Sequence, residues 1–492
     1  MLTRRGFLGT AAAAGPFLCL GKTAAVTKPV KRGMARLQFE ATTLGLGGQA
    51  SLQWTPADVD PAKIILKAFD LGVNYFDTSN AYGPSQSNYG KAFRELHLIP
   101  GASGYDERKR RSIFLTSKTV LRFGKGGWSK PGLANFSNGP AGSHTADDVR
   151  RTLSQIFGDG KGNYPAGAWL DQVLVHAVST MADVDAAFEG YLSPDPQAEN
   201  IGAIPTLVDL RDGTNRTGLN PKHEKLIRHI GFSGHKSPAV LMEMIHRDEH
   251  NVFAGMLVAI NANDRQHFNM QYNVIPVAAA RNLGVIAMKV FADGAMYTKP
   301  AVWSTRPEHV VRTVGSDALP SRSLVEYSLS IPGIHTAIIG TGQIDNDPKS
   351  CQLIENLAAA QIAPGALSVS DRRAIEARAN AVKDGKTNWF QDARQDLTPP
   401  RDAAVEQESR AGKRVVRLKW QTAFAGDEPI VRYEIWRDHQ KIGQMPYKPQ
   451  ARRDPFVFED LAAGDAARTY QVAAVDAANR TAMTAELMAK AG

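Results

Sequence analysis

Cysteine is nearly absent from this chain: Cys19 and Cys351 are the only two among 492 residues. Cys19 falls in a leader-like segment, so Cys351 has no disulfide partner and reads as a small buried hydrophobe. The twelve histidines show neither HExxH nor a Cys/His ligand spacing, which argues against a metal. No apolar run approaches the ~20 residues that span a bilayer, so no stable membrane anchor is expected. Net charge is +9, but outside "ERKRR" at 107–111 the basic residues are scattered. Scattered charge serves solubility, and nucleic acid is not an expected partner. Internal repeats and low-complexity tracts are missing as well. What remains is a chain of ordinary globular composition, 43% apolar and 22% charged. Its length calls for two or three folding units.

The N-terminus carries "TRRGFLG", then the mild apolar stretch "TAAAAGPFLCLG", then "KTAAV". A charged start, a short apolar run and small residues at a cleavable position make a signal peptide over 1–25, with cleavage after Ala25. Paired arginines before Phe-Leu resemble the twin-arginine export signal, whose machinery carries folded proteins. A periplasmic or secreted location follows. "FLC" lacks a small residue before Cys19, so a lipid anchor there is not expected.

Residues 36–385 alternate short apolar strands with amphipathic helices. Eight strands are predicted: "TTLGLGG", "VNYFDTS", "SIFLTSK", "DQVLVHA", "HIGFSG", "GMLVAIN", "GVIAMKV" and "HTAIIGTG". Eight βα units fit a TIM barrel. The rival doubly wound sheet lacks a GxGxxG after its first strand. Two long loops interrupt the pattern, 119–145 and 190–222. The first follows a strand, on the barrel face that carries active sites. Phe123, Trp128 and Phe136 in it are candidates to line a substrate pocket. Residues 386–402, with "TPPRD", read as a stiff linker. From 403 to 492 apolar and polar residues alternate at period two, which predicts a small antiparallel sandwich. Trp420, Tyr433, Trp436 and Tyr470 are its expected core. Its strand spacing resembles a fibronectin type III module, whose partner is unspecified. The sandwich supplies no reactive residue and should be dispensable for chemistry.

In a parallel barrel the strand ends share one mouth. The second strand ends at Asp77 with Tyr82 just beyond, the third at Lys118, the fourth at His176. A free phenol titrates near ~10 and is a reluctant acid at neutral pH. An ammonium beside it stabilises the phenolate, and a carboxylate holds the ammonium. An imidazole can orient a carbonyl oxygen. The set can give a proton to a carbonyl oxygen while hydride reaches carbon, or run the exchange backwards. Neither a Ser-His-Asp arrangement nor a carboxylate pair for glycoside hydrolysis is visible.

"NYFDTSNAYG", "FLTSK", "LVHA", "HIGFSGH" and "AIIGTG…QLIEN" resemble the aldo-keto reductase superfamily in order and over about residues 36–385. The resemblance implies Tyr82 as proton donor, completed by Lys118, Asp77 and His176. It implies NADP, or NAD, as cofactor and a small carbonyl or sugar substrate. Ser233 and Asn261 match positions that hold the nicotinamide carboxamide, and Glu355 and Asn356 match the adenine-contacting pair. Gly340, Thr341 and Gly342, on a loop before a helix, suit a phosphate cradled by backbone amides. Three positions depart from the pattern. Gly234 and His235 follow Ser233 where many members have Asn, and Met288 and Lys289 stand where an aromatic stacks on nicotinamide. Gln352 replaces the arginine that pairs with a 2′-phosphate, a charge that Lys349 could supply. The alternative is a non-catalytic barrel that retains nucleotide as a sensor or scaffold, docked through its sandwich.

Overall fold

A computed structural model describes residues 28–120, 143–344 and 351–492. Residues 1–25, expected as a leader, with Cys19 and Ala25, the expected pocket aromatics Phe123, Trp128 and Phe136, and Lys349 lie outside these residues. A short antiparallel hairpin comes first, β1 (Lys31–Gly33) and β2 (Glu40–Thr42). Eight strands then close a barrel: β3 (Leu44–Leu46), β4 (Tyr75–Asp77), β5 (Phe114–Thr119), β6 (Leu170–Val175), β7 (Ile227–Gly234), β8 (Phe253–Ala259), β9 (Gly284–Met288) and β10 (Thr336–Ile339). Every neighbour pair is parallel, and β10 pairs back onto β3. All eight predicted strands are present.

Local chemistry explains how the chain reaches each strand. Asp60 caps the helix Pro61–Asp70 by accepting from Ala62 N–H at 3.0 Å, with Pro61 preset at the first position. Ile64, Ile65 and Ala68 bury one face of that helix on the barrel. β4 follows with Tyr75, Phe76 and Asp77 all buried. Parallel barrel strands are covered on both faces, which is why they read as continuous apolar runs rather than alternating ones. Met34 and Leu37, between β1 and β2, are buried in the same core.

The stretch 190–222, read as a loop, contains a helix, Ala203–Asp212. Gly202 leads in without a side-chain cap, and Pro205 sits in the first turn, so the start signals are weak.

Eight further strands build two antiparallel sheets: β11 (Arg401–Arg410), β12 (Lys413–Gln421), β13 (Ile430–Arg437), β14 (Gln440–Pro446), β15 (Phe456–Asp460), β16 (Arg468–Asp476), β17 (Thr481–Met483) and β18 (Leu487–Ala489). One sheet runs β11-β12-β15; the other runs β14-β13-β16-β17, with β18 also on β16. Trp420, Tyr433 and Tyr470 fill the core between them. Trp436 does not belong to it. Tyr433 and Ile435 point inward, so the period of two turns Trp436 to the other face.

Within the stretch 386–402, read as a linker, residues 387–391 pack against the barrel, whereas 393–396 are exposed. Thr387, Asn388, Phe390 and Gln391 are buried. Asn263 donates to Thr387 Oγ1 at 2.8 Å, and Gln391 Nε2 donates to the buried Asp264 at 2.7 Å. The same loop after β8 grips the sandwich. Asn273 accepts from Ala425 N–H at 2.9 Å, Arg265 Nε donates to Asp427 O at 2.7 Å, and Phe268 meets Phe424 at 5.2 Å between centroids. Tyr272 packs on the sandwich core. The sandwich therefore braces the loop that holds the barrel's last segment. A chain ending at Gln395 should melt lower by roughly 5 °C or more, given a few kcal/mol of lost interface. Calorimetry showing an unchanged melting temperature would restore the view of two independent units.

Candidate active site

Asp77 ends β4 and lies in register with Thr116 of β5. Lys118, two residues further along β5, points to the same side. Its Nζ donates to both Asp77 oxygens, at 2.6 and 2.7 Å, and to Thr78 O at 2.9 Å. The two side chains are 1% and 2% exposed. All three ammonium protons are thus placed. Beyond Asp77 the chain turns tightly: Ala81 N–H donates to Ser79 Oγ at 3.1 Å and Tyr82 N–H to Ser79 O at 3.1 Å. That turn sets the buried Tyr82 ring 4.8 Å from Lys118 Nζ, centroid to nitrogen. His176 follows β6, its N–H bonded to Thr119 O at 2.9 Å and its Nδ1 3.2 Å from Ser79 Oγ. Its ring meets Tyr82 edge-on, with centroids 5.6 Å apart. The four residues singled out from three strand ends stand together.

Their surroundings set their charge states. Burial pushes the Tyr82 phenol well above its ordinary value, and the Asp77 and Asp293 charges add to that. Burial holds His176 well below the ordinary imidazole value, helped by the Lys118 and Lys289 charges. Desolvation draws the Lys118 ammonium down, and Asp77 opposes it. The site thus keeps a protonated phenol beside a neutral imidazole. Those are a proton donor and a neutral hydrogen-bonding group.

A cleft leads away from this point. Its lining includes Gly47, Gly48, Asp77, Tyr82, Lys289, Gly340 and Gln352. The predicted cofactor residues fall out unevenly. Ser233 is buried, its Oγ accepting from Ala177 N–H at 2.9 Å. Asn261 reaches the barrel mouth, but its amide is fully engaged. It donates to Lys289 O at 3.0 Å and Asn388 Oδ1 at 2.9 Å, and accepts from Asn388 at 3.1 Å and Asn263 N–H at 2.9 Å. Gln352 is engaged likewise. Its Oε1 accepts from Gly342 and Gln343 N–H at 2.6 and 2.9 Å, and its Nε2 donates to Val311 O and Thr313 O at 3.0 and 2.9 Å. Gly340 and Gly342 leave no room for a side chain, since a Cβ would lie 2.7 Å from Ala50 Cβ or Val310 Cγ1. Asn356 is buried and Glu355 half-buried on the helix Gln352–Ala359.

Residues 386–394 and the loop after β9 contribute what sequence reasoning missed. His235, Trp303, Trp389 and Phe390 form an aromatic rim, with Trp303 to His235 at 5.4 Å and Trp303 to Phe390 at 5.8 Å between centroids. "NWF" at 388–390 was the available signal, hidden by its place in a presumed linker.

Residues 43–302 match the model of the Aldo/keto reductase family. The chain belongs to that family. The match includes Asp77, Tyr82, Lys118, His176, Ser233 and Asn261, and it stops before β10 and the helix Gln352–Ala359. Among solved structures, an aldo-keto reductase from Pseudomonas aeruginosa is 22% identical, covering 69% of this chain and 98% of its own, with a TM-score of 0.42. One from Bacillus halodurans, in its holo form, is 19% identical over 72% and 97%, at 0.43. One from Klebsiella pneumoniae, in complex with NADPH, is 17% identical over 73% and 96%, at 0.44. No curated protein matches the chain.

An extended dinucleotide fits this family member's own residues in three respects. The cleft is lined by both Tyr82 and Gln352, Gly47, Gly48 and Gly340 leave its wall free of side chains, and Thr341 Oγ1, next in the chain to Gly340, is buried without a partner. The Gln352 carboxamide oxygen occupies the amide pair of Gly342 and Gln343. The buried pair itself predicts a clear energetic signature. Lys118→Met strands the Asp77 carboxylate and should cost about 3–5 kcal/mol, whereas adding Asp77→Leu should recover most of it. Urea melts giving additive losses would show that the two groups are not coupled.

Proposed function

We propose that this protein is an exported oxidoreductase that exchanges hydride between NADP(H) and an aldehyde, ketone or sugar carbonyl, with Tyr82 as the proton donor. The observation that carries this reading is the buried contact of Tyr82, Lys118, Asp77 and His176 at three adjacent strand ends. The cofactor, when bound, supplies hydride to the carbonyl carbon. Tyr82 gives its proton to the carbonyl oxygen, which becomes the alcohol. Lys118 stabilises the phenolate left behind, and Asp77 holds Lys118 in one place. Neutral His176 offers a hydrogen bond to orient the oxygen. Burial of all four strengthens each of these interactions by excluding water. NADP(H) rather than NAD(H) is taken from the family, since Gln352 carries no charge for a 2′-phosphate.

Export rests on "TRRGFLG" and the apolar stretch after it. Replacing Arg4 and Arg5 together by Lys should leave the protein in the cytoplasm; cell fractionation that still finds it exported would remove the twin-arginine reading.

A second reading, a nucleotide-retaining barrel without turnover, is favoured by the self-paired amides of Asn261 and Gln352. Tyr82→Phe separates the two. It should lower turnover by ~10²–10⁴-fold, the range for general acid catalysis, with nucleotide affinity nearly unchanged. The phenol sits above and the imidazole below its ordinary pKa, so neither changes charge between ~6.5 and ~10. Any break in wild-type turnover there, in the reductive direction, should therefore belong to Lys118, whose ammonium is drawn below its ordinary value by burial, and should be absent from Lys118→Met. Nucleotide binding without any carbonyl-dependent oxidation of NADPH would favour the second reading.

A further inference from the structure

Lys289 follows β9 and lines the same cleft as Asp77 and Tyr82, near enough for its charge to act on Asp77. Its backbone is left-handed, with φ at 59°, and its carbonyl oxygen accepts from Asn261 at 3.0 Å. The side chain is 8% exposed. Its Nζ donates to Gln49 Oε1 at 2.6 Å and to Asp293 Oδ1 at 3.2 Å, and lies 4.8 Å from the Trp303 ring centroid. The ammonium is therefore held from several sides.

Its charge is not cancelled. Asp293 is shared with Lys299, whose Nζ lies 3.0 Å from the second carboxylate oxygen, while Lys118 is matched by Asp77. Lys118, Lys289 and Lys299 face Asp77 and Asp293, which leaves one positive charge in excess. That charge is felt across the site, because Lys289 acts on Asp77, Lys118, His176 and His235. His235 is held at about 3 by burial first, then by Lys289 and Lys118.

We propose that Lys289 disfavours the oxidised, cationic nicotinamide relative to the reduced, neutral one. The inference rests on the dinucleotide reading above. Any ring that offers C4 to a carbonyl within reach of Tyr82 lies in the part of the cleft that Lys289 walls. Oxidation removes a hydride with both bonding electrons and leaves one positive charge on the ring. The phosphates and the adenine are identical in the two forms, so repulsion by Lys289 separates them. Lys289 thus makes bound NADP⁺ the weaker ligand and the stronger hydride acceptor.

The test is the ratio of dissociation constants, NADP⁺ over NADPH, measured on the full chain by calorimetry without any carbonyl substrate. Lys289→Met should lower that ratio about tenfold, equivalent to ~1.4 kcal/mol and to ~30 mV in a two-electron couple. One net charge within about 10 Å at an effective dielectric near 20 gives an effect of that size. Lys289→Arg should preserve the ratio. Asp293→Asn, which removes the countercharge, should raise it and serves if Lys289→Met does not fold. An unchanged ratio in Lys289→Met, or a lowered one in Asp293→Asn, would overturn the role of Lys289 and leave the dinucleotide reading standing. Failure of the wild-type chain to bind either nucleotide would overturn that reading itself.

Discussion

A buried ion pair, Lys118 with Asp77, is the constraint around which the catalytic end of this barrel is arranged. Removing both charges from water is costly, and the cost is offset only by close geometry with every proton placed. Here the ammonium reaches both carboxylate oxygens and one carbonyl. The pair forms because β4 and β5 run parallel with Asp77 beside Thr116, and β5 continues far enough to bring Lys118 over the end of β4. The closed barrel supplies that, and the turn through Ser79 then leaves Tyr82 one place to lie. The pair thereby holds a positive charge 4.8 Å from the centre of the Tyr82 ring.

The opposite side of the mouth is built by elements far away in the chain. Asn388 locks onto Asn261, Gln391 onto Asp264, and the sandwich onto the loop 264–273 between them. A chemistry carried by β4, β5 and β6 is thus enclosed by residues beyond the span that matches the family. The additions bring aromatic surface, Trp303, Trp389 and Phe390, to the rim of the cleft. They also fill polar valences of Asn261 and Asp264. The four residues of the site thus come from the N-terminal half of the chain, whereas the aromatic contacts of Trp303, Trp389 and Phe390 come from its C-terminal half.

The eight barrel strands were legible because each is a short apolar run, and the four reactive residues because Asp77, Lys118 and His176 stand at the ends of three such runs, with Tyr82 just beyond the first. The sandwich was legible for the same kind of reason, alternation at period two. β11 was not, since "RDAAVEQESR" is mostly exposed and its charges mask the alternation. The partners of Asn261 and Gln352 could not be read either. Both bind through side-chain amides to residues brought close only by the fold, 127 positions away for Asn388. Lys289 was visible as an oddity, yet its effect depends on Asp293 and Lys299 arriving from one irregular loop. Sequence periodicity finds elements; it does not report which buried polar groups satisfy one another.

The central claim is hydride exchange with a carbonyl at Tyr82, and isotope transfer tests it most directly. NADPH bearing deuterium at C4, on the transferable face, would be mixed with the protein and a panel of aldehydes, ketones and sugars. Mass spectrometry would then read the alcohol products. The account predicts deuterium at the former carbonyl carbon of at least one product, in proportion to the NADP⁺ formed. A product without deuterium, or NADPH left intact by every carbonyl compound while still bound, would contradict it.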